Sequence, residues 1–160
     1  MPIDPSYLSW RVERKLGQAF RFVELANDIN NHMPDYVVRR LADALNRRRR
    51  AVNGSRILLL GLAYKKNTGD ARESPAVRVA QLLSALGGEV RATDPHVVEA
   101  VHGLDEITRV ELTPGEVAAA DAVVLLTDHD EFDYEMIRSY GRYVLDTRRR
   151  VRPGDNVEAI

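Results

Sequence analysis

The chain has 160 residues, 44% hydrophobic and 29% charged, with a formal net charge of -1 and a pI of about 6.4. That length suits one domain with an appendage, and the near-neutral balance excludes a global field that would recruit nucleic acid or an anionic membrane. No apolar run approaches the roughly 20 residues that span a bilayer, Asp4 and the lack of an early apolar block argue against a secretory leader, and the absence of cysteine excludes disulfides and intrachain thiol chemistry, so cytoplasmic residence is the simplest expectation.

Up to about Gly54 the pattern is helical. Leu8, Val12 and Leu16 recur at i, i+4 and i+8, and Gly17 is a natural stop. A second helix is predicted to open near Phe22, to run through Val23, Ala26 and Ile29, and to break or kink at Met33-Pro34, because proline lacks the amide donor and clashes with the preceding turn. Beyond it Val37, Leu41, Ala44 and Leu45 repeat at helical spacing while Arg39, Arg40, Asp43 and Arg47 face elsewhere, giving an amphipathic helix that needs a partner surface. The basic run at 47–50 reads as a solvated helix C-terminus, where cations complement the carbonyl end of the dipole.

After Gly54 the rhythm becomes strand, helix, strand. Residues 56–61 (RILLLG) read as a buried strand, and Ser74-Pro75 as the cap and first turn of a helix that carries Val79, Leu82, Leu83 and Leu86 and stops at Gly87-Gly88. Strands are then predicted at 90–93, 110–112, 122–127 and 143–147, with short helices at 114–120 and 133–139. The fold class predicted is α/β, a doubly wound, mainly parallel five-stranded Rossmann-like sheet preceded by an α-helical segment, with strand order 3-2-1-4-5.

Ligands of such sheets sit beyond the carboxyl ends of the strands, where the order reverses. The segment after the first strand, from Gly61 through Pro75, is not GxGxxG: the second and third glycines are missing, and Tyr64 stands where backbone must approach a pyrophosphate. It does carry Lys65, Lys66 and Arg72 ahead of a helix start, in a connection long enough to suggest function. Arg148 follows the fifth strand and can reach the same edge, so these cations are expected to form one anion site. The stretch Asp128-His129-Asp130-Glu131 with Asp133 offers metal-ligand chemistry, but sequence neighbours cannot all face one ion, and a polar loop capping the next helix is expected instead, with no metal. His32, His96 and His102 are scattered without an evident partner and are expected at the surface.

Several of these stretches together resemble the UDP-glucose/GDP-mannose dehydrogenase family. They are Pro2-Ile3-Asp4-Pro5 with Tyr7-Leu8-Ser9-Trp10; Glu24-Leu25-Ala26 with Ile29-Asn30 and Met33-Pro34; Gly61-Leu62-Ala63-Tyr64-Lys65-Lys66; Asp70-Ala71-Arg72-Glu73-Ser74-Pro75-Ala76; Asp94-Pro95; Thr127-Asp128-His129; and Asp146-Thr147-Arg148. The opening and the YLSW segment look closest to the branch that oxidises UDP-N-acetylhexosamines. The resemblance implies residues 1–53 as the end of a central helical dimerisation segment and 54–160 as a Rossmann-like UDP-sugar-binding domain. It implies an NAD-dependent 6-dehydrogenase that takes the sugar C6 alcohol to a uronate, with NAD bound mainly by a domain outside this chain. The partners expected are a UDP-sugar and a second copy through the helical segment, with no nucleic acid and no membrane.

Carried over by position, Asp4 matches the aspartate that positions the hydrolytic water, Tyr64 and Lys65 the pair that contacts the UDP-sugar, Arg148 an arginine at the UDP end, and Arg72 an arginine that reaches the NAD pyrophosphate. Tyr64 stands where many relatives have phenylalanine. The family's nucleophilic cysteine falls immediately before Met1, so the chain alone is expected to bind substrate without turning it over. A second reading is a stand-alone nucleotide-sugar-binding or dimerisation module without catalysis. An upstream open frame ending in a Gly-Gly-His-Cys-like stretch would separate the two.

Overall fold

A computed structural model describes residues 10, 11, 14, 15, 21–105 and 107–160. The elements are α1 (Arg21–Arg47), β1 (Arg56–Leu60), α2 (Pro75–Ala85), β2 (Glu89–Thr93), β3 (Thr108–Arg109), α3 (Pro114–Ala119), β4 (Ala122–Leu125), α4 (Tyr134–Tyr140), β5 (Val144–Asp146) and β6 (Val157–Ala159). The strands form one parallel sheet ordered β3-β2-β1-β4-β5-β6, so the expected 3-2-1-4-5 order holds and a sixth strand is added at the edge.

The central strands β1 and β4 are apolar, apart from Arg56 at the start of β1, because both faces of the sheet are covered there. Successive side chains point to opposite faces. Ile57, Leu59, Ala122, Val124 and Leu145 therefore enter one core with α1 and α2, while Leu58, Leu60, Val123, Leu125 and Val144 enter the other with α3 and α4. The helix starts follow the sequence signals. Ser74 Oγ accepts from the Ala76 amide ahead of Pro75, Thr113 Oγ1 from Glu116 ahead of Pro114, and Asp133 from Met136.

Three expectations are corrected. Helical backbone runs unbroken through Pro34, whose ring is buried, and the next turns dock Val37, Val38, Leu41, Ala44 and Leu45 into the α1/α2 core. That packing offsets the missing amide bond, and the stripe that needed a partner has found it within the chain. The third strand is Thr108–Arg109 rather than 110–112, because β2 pairs Arg91 with Thr108 and Ala92 with Arg109 before the chain turns to cap α3 at Thr113. The sixth strand is an edge strand with no fully buried residue, so it carries no apolar run to reveal it. The basic run at 47–50 is exposed at the helix C-terminus as expected, and three of its arginines also find partners. Arg47 joins Arg40 on the Glu158 carboxylate of β6, Arg48 lies 4.0 Å over the Tyr143 ring, and Arg50 pairs with Asp121 at 3.0 Å.

Candidate functional site at the carboxyl edge of the sheet

The crevice between the ends of β1 and β4, where the strand order reverses, is filled by the protein itself. Gly61 sits at φ +83°, and a Cβ built on it would lie 2.4 Å from the Thr127 carbonyl oxygen. Only glycine allows the β1 and β4 ends to approach this closely. Thr127 Oγ1 then donates to the Ala63 carbonyl at 2.7 Å.

Asp94, at the end of β2, is the knot of this edge. Its buried carboxylate accepts the amides of Leu62 (2.6 Å), Ala63 (2.9 Å), His96 (2.8 Å) and Val97 (3.0 Å). His129 Nε2 completes the set at 3.0 Å, and both side chains are fully buried. Burial pushes the Asp94 carboxyl upward, yet the four amide donors outweigh it and hold the group below its ordinary range.

The other ring nitrogen of His129, Nδ1, accepts the backbone amide of Asn67 at 3.0 Å. Asn67 takes the left-handed conformation at φ 56°, which asparagine tolerates better than most residues. Its side chain exchanges two hydrogen bonds with Asp130, at 2.7 and 3.1 Å.

Asp130 also draws the loops after β1 and β5 together. Lys66 Nζ and an Arg150 guanidinium nitrogen approach the same Asp130 oxygen at 2.7 and 3.2 Å. Lys66 leads the influences that lower the Asp130 carboxyl. The Arg150 guanidinium also lies 5.3 Å over the Tyr134 ring. The Tyr134 hydroxyl is pushed up to about 12, chiefly by burial, and donates to the His129 carbonyl.

On this frame Tyr64 is half-buried and Lys65 exposed, and among the described residues Lys65 has no ion pair. Arg148 is exposed and is anchored through Nε to the Leu126 carbonyl at 2.6 Å and through its amide to Asp146 at 2.8 Å. Lys65 and Arg148 follow β1 and β5, the strands on either side of β4. These two cations form a candidate anion-binding shelf, with Lys66 and Arg150 already paired with Asp130.

Arg72 does not join this shelf. It forms a two-point pair with Asp70 (2.9 and 3.0 Å) and lines a separate open cleft of about 950 Å³ with Asn30, Asn31 and Pro34 of α1. Asp4 lies outside the described residues. Arg150 was missed by the sequence reading, although its two-residue spacing from Arg148 directly after a strand was the available signal. His32 and His102 are exposed as expected, and only His96 needs correction in burial, though His32 and His96 have partners that the sequence did not reveal. His96 is half-buried and pairs with Glu131 at 3.0 Å, His32 bonds the Asp28 carbonyl at 2.7 Å, and His102 lines the cleft. His96, His129 and Glu131 place ligand atoms within 4.8 Å of one another, but both His129 nitrogens are already engaged, so an ion there would have to break the contact to Asn67 or to Asp94.

Comparison with known proteins gives a consistent result. The family described as "UDP-glucose/GDP-mannose dehydrogenase family, UDP binding domain" matches residues 58–153. Over 152 residues the chain is 32% identical to UDP-N-acetyl-D-mannosamine dehydrogenase of Salmonella typhi, covering 91% of this chain and 35% of that protein. The structure of a UDP-glucose dehydrogenase from Pyrobaculum islandicum aligns with TM-score 0.73 at 30% identity, over 91% of this chain and 32% of that one. UDP-D-ManNAc dehydrogenase from Pyrococcus horikoshii aligns with TM-score 0.75 at 26% identity, over 99% and 37%. The chain thus spans about a third of the length of the curated relatives it matches.

Proposed function

The chain belongs to the UDP-glucose/GDP-mannose dehydrogenase family, and from that premise we propose that it is the UDP-sugar-binding part of an NAD-dependent nucleotide-sugar 6-dehydrogenase, acting on a UDP-N-acetylhexosamine. The observation that supports this reading is that Lys65, which has no ion pair among the described residues, and Arg148, held only through Nε and its amide, follow β1 and β5 beside a crevice that is itself closed. Lys65 and Arg148 take the diphosphate, and Tyr64 lies against the nucleotide-sugar. Residues 1–53 are the end of the helical segment, and 54–160 form the binding domain.

A dinucleotide does not fit the switch-point crevice of this chain. Thr127 occupies the close approach at Gly61, and the buried His129 fills the space behind it. NAD is therefore held by another part of the enzyme, with Arg72 meeting its pyrophosphate from the cleft beside α1. The chain contains no cysteine, so its own role is to bind and orient. Phe22, Leu25, Ile29 and Met33 leave an exposed apolar stripe along the first half of α1, which supports pairing with a second copy through this helix.

Calorimetry with UDP tests the reading. The dissociation constant is expected on the order of 0.1–1 mM for a half-built open site. Lys65→Ala and Arg148→Ala should each weaken it by about 5- to 100-fold, as loss of a charge-assisted phosphate contact does. Unchanged affinity in both variants would remove these residues from the site.

A further inference from the structure

Outside the residues assigned above, one buried polar group has both of its functional atoms committed, one to the segment that carries the site and the other to Asp94, which holds the start of that segment. We propose that His129 is a positioning residue that sets the conformation of the Tyr64–Lys65–Lys66 loop for UDP. This inference rests on the reading that UDP binds there.

The argument begins with the tautomer. Nδ1 accepts the Asn67 amide, so it carries no proton, and the ring proton therefore sits on Nε2 and is donated to Asp94. The ring is thus a one-way link in which each nitrogen can play only the part it plays. At one end stands Asp94, which already holds Leu62 and Ala63 at the start of the loop. At the other end stands Asn67, immediately after Lys66, in a left-handed conformation that needs outside support. The three residues between these fixed points are Tyr64, Lys65 and Lys66. Thr68 Oγ1, which caps the Lys65 carbonyl at 2.9 Å, and the Tyr64 amide bond to the Asp70 carbonyl at 2.7 Å close the loop further along.

His129 suits this task because it is fully buried. Water does not compete for its bonds, and the Asp94 carboxylate strengthens both by holding the tautomer in register. The exposed Asp130–Asn67 contacts guard the same residue from the solvent side, but solvent screening makes them the weaker restraint.

Two substitutions separate the two arms of the ring. An asparagine carboxamide reaches about as far as Nδ1, and a glutamine carboxamide about as far as Nε2. His129→Asn therefore can keep an acceptor for the Asn67 amide and loses the Asp94 contact, whereas His129→Gln keeps the Asp94 contact and loses Asn67. The measurements are UDP affinity by calorimetry, melting temperature, and amide exchange at Asn67 by NMR, all on the full chain. His129→Gln should lower UDP affinity about tenfold and speed Asn67 exchange at least about tenfold. His129→Asn should hold both within about threefold even though it melts lower, because the Asp94 knot has lost a partner.

Glutamine with wild-type UDP affinity, or affinities that follow melting temperature instead of Asn67 protection, would overturn the proposal and leave the site reading standing. A wild-type chain that binds no UDP would overturn the site reading and the proposal with it. Should either variant fail to fold, the native chain decides. The Asn67 amide must then exchange more slowly than its neighbours at 66 and 68, and more slowly still when UDP saturates, and equal rates would refute the link.

Discussion

Replacing Asp94 with asparagine is the most searching test of the carboxyl edge, because the substitution preserves shape and changes only donors and charge. The carboxylate accepts four backbone amides and His129 Nε2 through two oxygens. An asparagine keeps one oxygen. If that oxygen faces His96 and Val97, the new NH₂ group confronts the amides of Leu62 and Ala63 and the His129 N–H. If the amide flips, it confronts His96 and Val97 instead. Either way at least two buried donors lose their acceptor, each worth about 1–3 kcal/mol, so with some relaxation the loss is roughly 3–5 kcal/mol. For a chain of this size that is a fall in Tm of about 10–15 °C. The pH dependence supplies a second signature. A carboxyl held below its ordinary range contributes stability that is fully present above its unfolded pKa of about 3.9, and that stability is lost as pH falls through the folded value. The gap between wild type and Asp94→Asn should therefore be widest near neutrality and narrow in acid. Urea melts at pH 7 and pH 3 measure both. A variant within about 3 °C of wild type at pH 7 would show that the Asp94 network is not the knot described.

The remaining predictions concern the two ends of the molecule. Arg72→Ala should leave both Tm and UDP affinity unchanged, because its side chain is 88% exposed and bonded only to its neighbour Asp70. In a protein carrying the NAD domain it should raise the Michaelis constant for NAD more than that for the sugar, and normal NAD kinetics there would make it an ordinary surface arginine. Glu158→Gln should lower Tm by about 3–6 °C at pH 7, since the carboxylate joins Arg40, Arg47 and the Tyr143 hydroxyl across α1 and β6. Burial pushes that carboxyl upward, but Arg40 leads the partners that bring it below its ordinary value. Its contribution therefore fades as pH drops through the folded value, and the gap between wild type and variant should shrink as the solution is acidified from pH 7. A gap that stays constant down to the acid unfolding transition would mean that shape, not charge, does the joining.

The fold was legible wherever burial on both faces imposed an unmistakable composition. Residues 56–61 and 122–127 are apolar because two helical layers cover them, and Ser74-Pro75 marks a helix start because the serine oxygen and the proline ring satisfy different needs of the first turn. Edge strands escaped because they are half-solvated. Thr108–Arg109 is exposed, and Val157–Ala159 carries Glu158 where an interior strand would carry a hydrophobe. Pro34 misled because local propensity is a weak prior against a docked face. Val37, Val38, Leu41, Ala44 and Leu45 together bury enough apolar surface to outweigh one missing hydrogen bond.

The candidate cations were legible in the sequence, but not what holds them. Lysines and arginines follow strands one and five in plain view, while their partners, such as Asp130 for Lys66 and Arg150, lie far off in the chain or in another loop. The positions of those charges depend on contacts from 31 to 64 residues away in the chain, such as Asp94 to Ala63, His129 to Asn67 and Thr127 to Ala63, and no local pattern encodes them. This also explains why the sequence grouped Arg72 with the shelf while the structure does not. Between Lys66 and Arg72 lie the left-handed turn at Asn67 and the Tyr64–Asp70 closure, and together they send the chain back toward α1. The same few bonds therefore separate Lys65, exposed beyond β1, from Arg72, which lines the neighbouring cleft. In one connection of a Rossmann-like sheet, cations seven positions apart come to lie on different surfaces because a buried histidine and aspartate fix the turn between them.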